Sequence, residues 1–334
     1  MTKQPTVSDI ARIAQVSPST VSRVLTGSSP VHPAKSAAVL AAIERLNFRP
    51  NLTARALARG KSMVVGILTQ SMASQFYGEL AQGIEDGLAN SGYQCVFASG
   101  HWEPSSEKAA LDLLLARQVD GLIVLGGEHP DAALRTLSTQ IPVIAVGRQI
   151  EGLTANCLRV ANVEGSRQAV QHLIDLGHRR IAHVSGISNH FDAYERREGY
   201  EQALRTAGLP LDERLIVEGS FTEQSGMLAL ETLLARGAPF SAIFAANDQM
   251  AYGVRLGLYR RGLRVPEEVS LIGFDDLLGS AYTTPPLTTV RQHMLDQGRA
   301  AAQGLLRLLA DQPPELRAVR TELVIRESTA RVRG

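Results

Sequence analysis

The sequence predicts a two-part fold: an N-terminal all-α helix-turn-helix headpiece, then an α/β core of two parallel-sheet lobes. Three observations carry this prediction. Residues 1–60 alternate short helix signals with tight turns; from Met63 onward, apolar runs of strand length alternate with helix-period segments; and charge is divided unequally between the two parts.

Thr6-Val7-Ser8-Asp9 reads as a capping box, which starts a first helix near Val7. Ile10, Ile13 and Ala14 give that helix one buried face. Val16 follows a break, after which Ser17 serves as N-cap and Pro18 as first residue of a second helix running to Thr26 and stopping at Gly27. Val21, Val24 and Leu25 form its buried stripe. Ser19, Thr20, Ser22 and Arg23 project the other way, and are short or polar enough to meet base edges in a major groove. A third helix opens with Pro33 and spans Ala34 to about Leu46, with Val39, Ala42, Ile43 and Leu46 facing inward. Asn51 to Ala58 is too short to be a stable helix alone in water.

Charge separates a nucleic-acid module from a plain helical cap. Up to Gly60, Lys3, Arg12, Arg23, Lys35, Arg45, Arg49, Arg55 and Arg59 face only Asp9 and Glu44, a net of +6, so a chain total of +1 leaves −5 for the remainder. A small basic module on a near-neutral body suits a polyanionic partner.

Strands are predicted at Met63–Leu68, Gln94–Ala98, Gly121–Leu125, Val143–Val146, Ile181–Val184, Ala242–Ala245 and Val269–Gly273. Helices are predicted at Gln75–Asn90, Ser105–Arg117, Glu164–Leu176, Tyr194–Ala207, Ser225–Ala235 and Gln249–Arg261. The alternation implies parallel sheets covered on both faces, and the length implies two lobes. Ligands of such sheets bind beyond the carboxyl ends of the strands. Those ends carry Gln70 to Tyr77, Gly126-Gly127, Gly147-Arg148, Gly186 to Asp192, Asn247-Asp248 and Phe274-Asp275-Asp276. Carboxylates, amides and guanidinium groups with an aromatic ring are the chemistry of sugar recognition.

An enzyme is not expected: the chain carries no G-x-S-x-G, no G-x-x-x-x-G-K-[ST] and no H-E-x-x-H. Asp275 and Asp276 are adjacent at a strand end and should point apart, and His178 and His183 lack metal-ligand spacing. Cys95 and Cys157 belong to no C-x-x-C and read as free thiols of a reducing compartment. With no apolar leader and no long apolar run, a cytoplasmic protein without a membrane partner is expected.

Val7 to Ala11, Val16-Ser17-Pro18-Ser19-Thr20-Val21-Ser22-Arg23-Val24-Leu25, Leu46 to Asn51 and Ala54 to Leu57 resemble the headpiece and hinge of the lactose repressor/galactose repressor family. The resemblance continues through Val119 to Ile123, Leu176 to Ile181, Arg196 with Gly199-Tyr200, Ala246 to Ala251, Ile272 to Asp276 and Pro286 to Val290. It implies a core similar to periplasmic sugar-binding proteins, with a headpiece at 1–50, a hinge helix and linker at 51–61, and an effector-binding and dimerisation core at 62–334. Within that core, one lobe comprises about 62–161 and 292–320, the other about 162–290 and 321–330.

The resemblance implies DNA contacts from Thr6, Ser17, Pro18, Ser19, Thr20, Ser22 and Arg23, with positions 18, 19 and 23 helping to read the operator. Pro18 has no hydrogen-bonding side chain, so readout there falls to apolar contact or shape. It further implies that Asn51, Ala54, Arg55 and Leu57 belong to a hinge helix that folds on DNA, pairs with its twin in the minor groove and wedges Leu57 between base steps. His32 departs from the family's usual serine cap. Around the effector the resemblance places Phe76, Arg148, His190, Asp192, Arg196, Phe221, Asn247, Asp275 and Gln292. Plainer roles stand beside three of these: Asp275 as a turn cap, Asn247 as an N-cap and Phe76 as core. Arg196, near a helix start where the dipole disfavours a cation, needs a counter-charge or a ligand.

The expected function is a sequence-specific transcriptional regulator, a repressor of a carbohydrate-utilisation operon under allosteric control by a sugar. The alternatives are a purine or other anionic corepressor, and a sugar sensor that does not bind DNA. The expected partners are double-stranded operator DNA, a small-molecule effector and a second copy in a homodimer, with no cofactor. No leucine heptad follows Val324, which favours a dimer over a bundle-linked tetramer.

Overall fold

A computed structural model describes residues 5–26, 29–48 and 61–332. The chain divides into two compact units, Met1–Ser62 and Met63–Gly334.

In the first unit α1 (Val7–Ile13), α2 (Pro18–Thr26) and α3 (Pro33–Arg45) close around Ile10, Ala11, Val21, Val39 and Ala42. The capping box starts α1: Asp9 N–H donates to Thr6 Oγ1 at 3.3 Å, and Thr6 N–H donates to Asp9 Oδ2 at 3.0 Å. Thr6's hydroxyl and N–H hold the Asp9 carboxyl at about 2, so a full negative charge sits at the positive end of the helix. Gln15 then adopts a left-handed φ of 52°, and Val16 N–H reaches back to Ala11 O at 3.0 Å, ending α1 in a Schellman turn. Ser17 Oγ accepts from Thr20 N–H at 3.2 Å and so starts α2. His32 does cap α3, its Nδ1 accepting from Ala34 N–H at 3.3 Å. Thr6→Ala removes one half of the box and is expected to lower headpiece stability by about 1 kcal/mol. An earlier headpiece transition by circular dichroism on the whole chain would show it; an unchanged transition would count against the cap.

The second unit contains two parallel sheets. One has the order β2-β1-β3-β4-β5, from β1 (Val64–Thr69), β2 (Gln94–Ser99), β3 (Gly121–Leu125), β4 (Val143–Val146) and β5 (Cys157–Leu158). On one face lie α4 (Gln75–Leu88) and α11 (Met294–Leu308), which join Val65, Ile67, Ile123 and Ile144 in a core. On the other lie α5 (Pro104–Ala116) and α6 (Asp131–Ser138), packed on Leu68, Leu122, Val124 and Val143.

The other sheet has the order β7-β6-β8-β9, from β6 (Ile181–Ser185), β7 (Ile216–Glu218), β8 (Ala242–Ala245) and β9 (Ser270–Ile272). It is covered by α7 (Asn162–Asp175) and α8 (Phe191–Thr206) on one face, and by α9 (Glu223–Ala235) and α10 (Asp248–Arg260) on the other. The runs of β3, β4, β6, β8 and β9 are buried on both sides, which is why they read as continuous rather than alternating, while the edge strand β2 is only half-buried.

An antiparallel ribbon of β10 (Thr289–Arg291) and β11 (Glu322–Val324) accompanies the passages between lobes. Backbone bonds tie those passages together: Ala161 N–H to Val319 O at 3.0 Å, Val319 N–H to Arg159 O at 2.8 Å, and Asp275 N–H to Val290 O at 2.8 Å. The anticipated strands and helices are present with ends shifted by a few residues. The short strands β5, β7 and β10 and the helices α6 and α11 were not anticipated.

Candidate functional site

On the headpiece, Pro18, Ser19, Ser22 and Arg23 lie exposed on α2, opposite the buried Val21. Thr20 is half-buried, and Ser17 Oγ sits 2.8 Å from Ser19 Oγ and 2.9 Å from Thr20 Oγ1. The hydroxyls therefore form one linked cluster at the helix start rather than separate projecting groups. Thr6 keeps its exposed position but commits its hydroxyl to Asp9 at 2.7 Å. A depression lined by Arg12, Gln15, Ser17, Pro18, Thr20 and Lys35 joins the three helices. Its polar and basic rim is suited to phosphate oxygens. Asn51, Ala54, Arg55 and Leu57 lie outside the described residues.

In the core, the strand ends of the two lobes enclose a cavity of about 470 Å³. Phe76, His190, Asp192, Arg196, Phe221, Asn247 and Asp275 all line it. Arg148 and Gln292 do not line it. Arg148 Nη2 donates to Asp131 Oδ1 at 2.6 Å and to His129 O at 2.8 Å, and Nη1 donates to Gly127 O at 3.2 Å, which holds the guanidinium against α6. It lines a neighbouring hollow instead. Gln292 is buried one layer behind the wall, its Nε2 donating to Asp275 Oδ1 at 2.5 Å.

Arg196, only 3% exposed, finds the partners its position requires. Nη1 donates to Ala246 O at 2.6 Å, Nε donates to Asn162 Oδ1 at 3.0 Å, Asp275 Oδ1 lies 3.5 Å from Nη1, and the Phe274 ring sits 3.9 Å beneath. Asn162 in turn donates to Asp192 Oδ1 at 2.8 Å and Glu195 Oε2 at 3.1 Å. Burial pushes the Asp275 carboxyl well above the usual carboxylate range, and Arg196 pulls back only in part. Asp275 takes a φ of 119° and turns inward, whereas Asp276 turns to Arg291 at 2.7 Å and Arg326 at 2.6 Å. The two carboxylates point apart as expected.

Asn247 caps a helix and also lines the cavity. Its Oδ1 caps α10 at Met250 N–H (2.9 Å), and its Nδ2 donates to Phe221 O at 3.0 Å, steadying a residue whose φ is 62°. Phe76 likewise packs on the core beneath while facing the cavity. Gly186 sits beneath the Phe221 ring so closely that a Cβ there would strike it.

Trp102, the sole tryptophan, was not anticipated. It follows β2, and applying the strand-end rule there would have reached Gly100-His101-Trp102. Its ring lies 6.3 Å from Phe221, 5.0 Å from His190 and 6.4 Å from Tyr77. The lobes also meet through Ser74 Oγ donating to Gln249 Oε1 at 2.8 Å, and Asn189 Nδ2 donating to Glu128 Oε1 at 3.0 Å. Burial lowers His190, so its ring tends to stay neutral.

No group of histidine, cysteine and carboxylate side chains suited to a metal ion occurs among the described residues, and no described helix is long and apolar enough to cross a membrane.

Residues 6–51 match the model for bacterial regulatory proteins of the lacI family, and residues 170–329 match a periplasmic binding protein-like domain. The chain is 35% identical over 323 residues to the HTH-type transcriptional regulator GalR of Escherichia coli (strain K12), covering 96% of this chain and 94% of the relative. Its fold is similar to that of the lac repressor dimer bound to operator and the anti-inducer ONPF, with a TM-score of 0.88, 30% identity and coverage of 98% and 100%. It is also similar to a transcriptional regulator CelR–cellobiose complex, with a TM-score of 0.73, 33% identity and coverage of 97% and 99%.

Proposed function

The chain belongs to the lacI family of bacterial regulatory proteins, DNA-binding transcriptional regulators rather than enzymes, and from that premise we propose that it is a repressor whose grip on its operator is governed by a neutral carbohydrate bound in the interlobe cavity. The operator is held by two copies of the chain. Ser19, Ser22 and Arg23 contact base edges, Pro18 contributes an apolar face, and the hydroxyl cluster around Ser17 and Thr20 sits against phosphate. The protein works where the DNA is, in the cytoplasm.

The composition of the cavity wall carries the effector reading. Trp102, Phe221 and Phe76 offer apolar faces, while Asp192, Asp275, Glu223 and Asn247 offer polar groups for hydroxyls. Carboxyls outnumber cations on that wall. Its guanidinium, Arg196, is already held by Ala246, Asn162 and Asp275, and Arg148 is held away by Asp131. A phosphorylated or carboxylated effector would meet three carboxyl groups, Asp192, Glu223 and Asp275, against one arginine whose Nη1 and Nε are already engaged, which favours a neutral polyol over an anionic corepressor.

Cleft geometry supports the coupling. The effector residues Asp192 and Arg196 share Asn162, and Asn162 follows directly on the interlobe passage at 159–161. Titrating operator binding by fluorescence anisotropy against neutral sugars, sugar phosphates and purine bases is the test. A neutral sugar is expected to change operator affinity about 5- to 150-fold, with a matching change in Trp102 emission. A response confined to sugar phosphates or to purines would replace this reading.

A further inference from the structure

Resting on that carbohydrate reading, we infer that Trp102 and Phe221 form a two-sided aromatic clamp, one jaw on each lobe, which selects pyranosides with all-equatorial ring substituents, the gluco configuration, over those bearing an axial hydroxyl.

The two rings come from opposite lobes, Trp102 from the loop after β2 and Phe221 from the loop between β7 and α9. Their centroids lie 6.3 Å apart and their planes 25° from parallel. Both jaws are held in a backbone conformation that bulky side chains rarely adopt, with φ of 58° at Trp102 and 62° at Phe221. Such conformations persist where the surroundings enforce them, and they gather at ligand clamps. The enforcement is visible: Gln70 Oε1 accepts from Trp102 N–H at 2.9 Å, Asn247 Nδ2 donates to Phe221 O at 3.0 Å, and Gly186 leaves the Phe221 ring room to lie flat.

A ring held in van der Waals contact with both jaws needs roughly 3.5–4.0 Å on each side. Because the gap between the planes is no wider than the 6.3 Å between centroids, the jaws must part by at least roughly 1 Å, and because they stand on different lobes, occupancy moves the lobes themselves. The chemistry of a two-sided clamp is stricter than that of a single stacking ring. A gluco-configured chair places every hydroxyl in the equatorial belt and shows axial C–H bonds on both faces. An axial hydroxyl, such as that at C4 of a galactoside, puts oxygen against one aromatic face with no partner for it. The equatorial belt meets the polar wall at Asp192, Asp275 and Gln249.

The experiment is calorimetric titration of the full chain with methyl β-D-glucopyranoside, methyl β-D-galactopyranoside and hypoxanthine, repeated on Trp102→Ala and Trp102→Phe, with the urea unfolding transition of each variant as the folding control. The wild type is expected to bind the glucoside at least about tenfold more tightly than the galactoside, about 1.4 kcal/mol. Trp102→Ala should bring that ratio close to one, and Trp102→Phe should restore part of it. Equal affinities in the wild type, or a ratio untouched by Trp102→Ala, overturns the clamp and leaves the carbohydrate reading standing. Binding of neither glycoside, with or without binding of hypoxanthine, overturns both.

Discussion

Replacing Arg196 by leucine is expected to destabilise the second lobe by about 3–5 kcal/mol near neutral pH. The guanidinium is the cation buried among three largely buried carboxyls, Asp192, Glu195 and Asp275. Its loss leaves the Ala246 carbonyl and Asn162 Oδ1 without their donors, and the Phe274 face without its cation. A leucine fills much of the volume but none of these roles. The loss should shrink as pH falls. The Asp275 carboxyl, already pushed up by burial, would rise further without the arginine that holds it down, and a raised folded-state value means stability that is present at low pH and lost on the way up. Urea unfolding at neutral and mildly acidic pH measures both parts. Arg196→Lys keeps the charge but not the fork and should fall between wild type and leucine. A leucine variant as stable as wild type near neutral pH would remove the basis for treating this network as the anchor of the cavity wall.

The same network shows what sequence can and cannot yield. Arg196 was legible because a cation near a helix start demands a reason, and Asn247 and Asp275 because they sit in recognisable motifs at strand ends. Arg148 meets the same strand-end rule, yet its guanidinium turns to a neighbouring hollow. The residue that claims it, Asp131, opens α6, a helix whose eight residues are too few to declare a period. Gln292, the residue after β10, backs Asp275 instead of facing the cavity: register at that strand end decides which side a side chain takes, and a one-residue change reverses the answer.

The headpiece was legible almost residue by residue, because its signals are local. A capping box, an N-cap followed by proline and a stripe of aliphatics each act within a turn or two of chain. Helix α11 escaped notice for the opposite reason. Between Met294 and Leu305, its buried face is built from Gln297, Gly298, Ala301, Ala302 and Gly304, with no large apolar side chain. Gly298 approaches the Leu80 carbonyl and Gly83 approaches that of Leu295 so closely that a Cβ at either would collide. Small residues that let two helices touch are invisible to a search for hydrophobic periodicity. Trp102 was missed because the strand-end rule was not carried to the end of β2; its aim into the cavity further depends on two successive left-handed residues, His101 and Trp102.

The second large effect concerns pH and the buried imidazole of His183, which the functional reading leaves unused. Its ring lies between Tyr200 and Phe244, 4.9 and 5.0 Å away and nearly parallel to both. Nδ1 lies 2.9 Å from Phe244 O, an acceptor only, so Nδ1 carries the proton and Nε2 presents a bare lone pair with no partner. A second proton would therefore place an unsolvated N–H and a full charge between two aromatic rings. Burial accordingly holds the group down at about 4, with Arg197 adding a smaller push and the Phe244 carbonyl opposing it. Because the folded value lies below the unfolded 6.5, this contribution to stability is complete above pH 6.5 and is lost as pH falls from there to about 4. The loss amounts to roughly 3 kcal/mol. Asp248, pushed up to about 7 by burial, works in the opposite direction over an overlapping range, so the pH profile of the wild type alone would hide the effect. His183→Phe keeps the aromatic stack and deletes only the titration and the bond to Phe244 O. It should be less stable than wild type near neutral pH, and that gap should close and reverse by roughly 3 kcal/mol on acidification to about pH 4. Urea midpoints of the two proteins across that range measure the difference directly, since the carboxyl contributions cancel between them. A gap that stays constant across the range would mean that the imidazole is protonated, or solvated, inside the folded lobe.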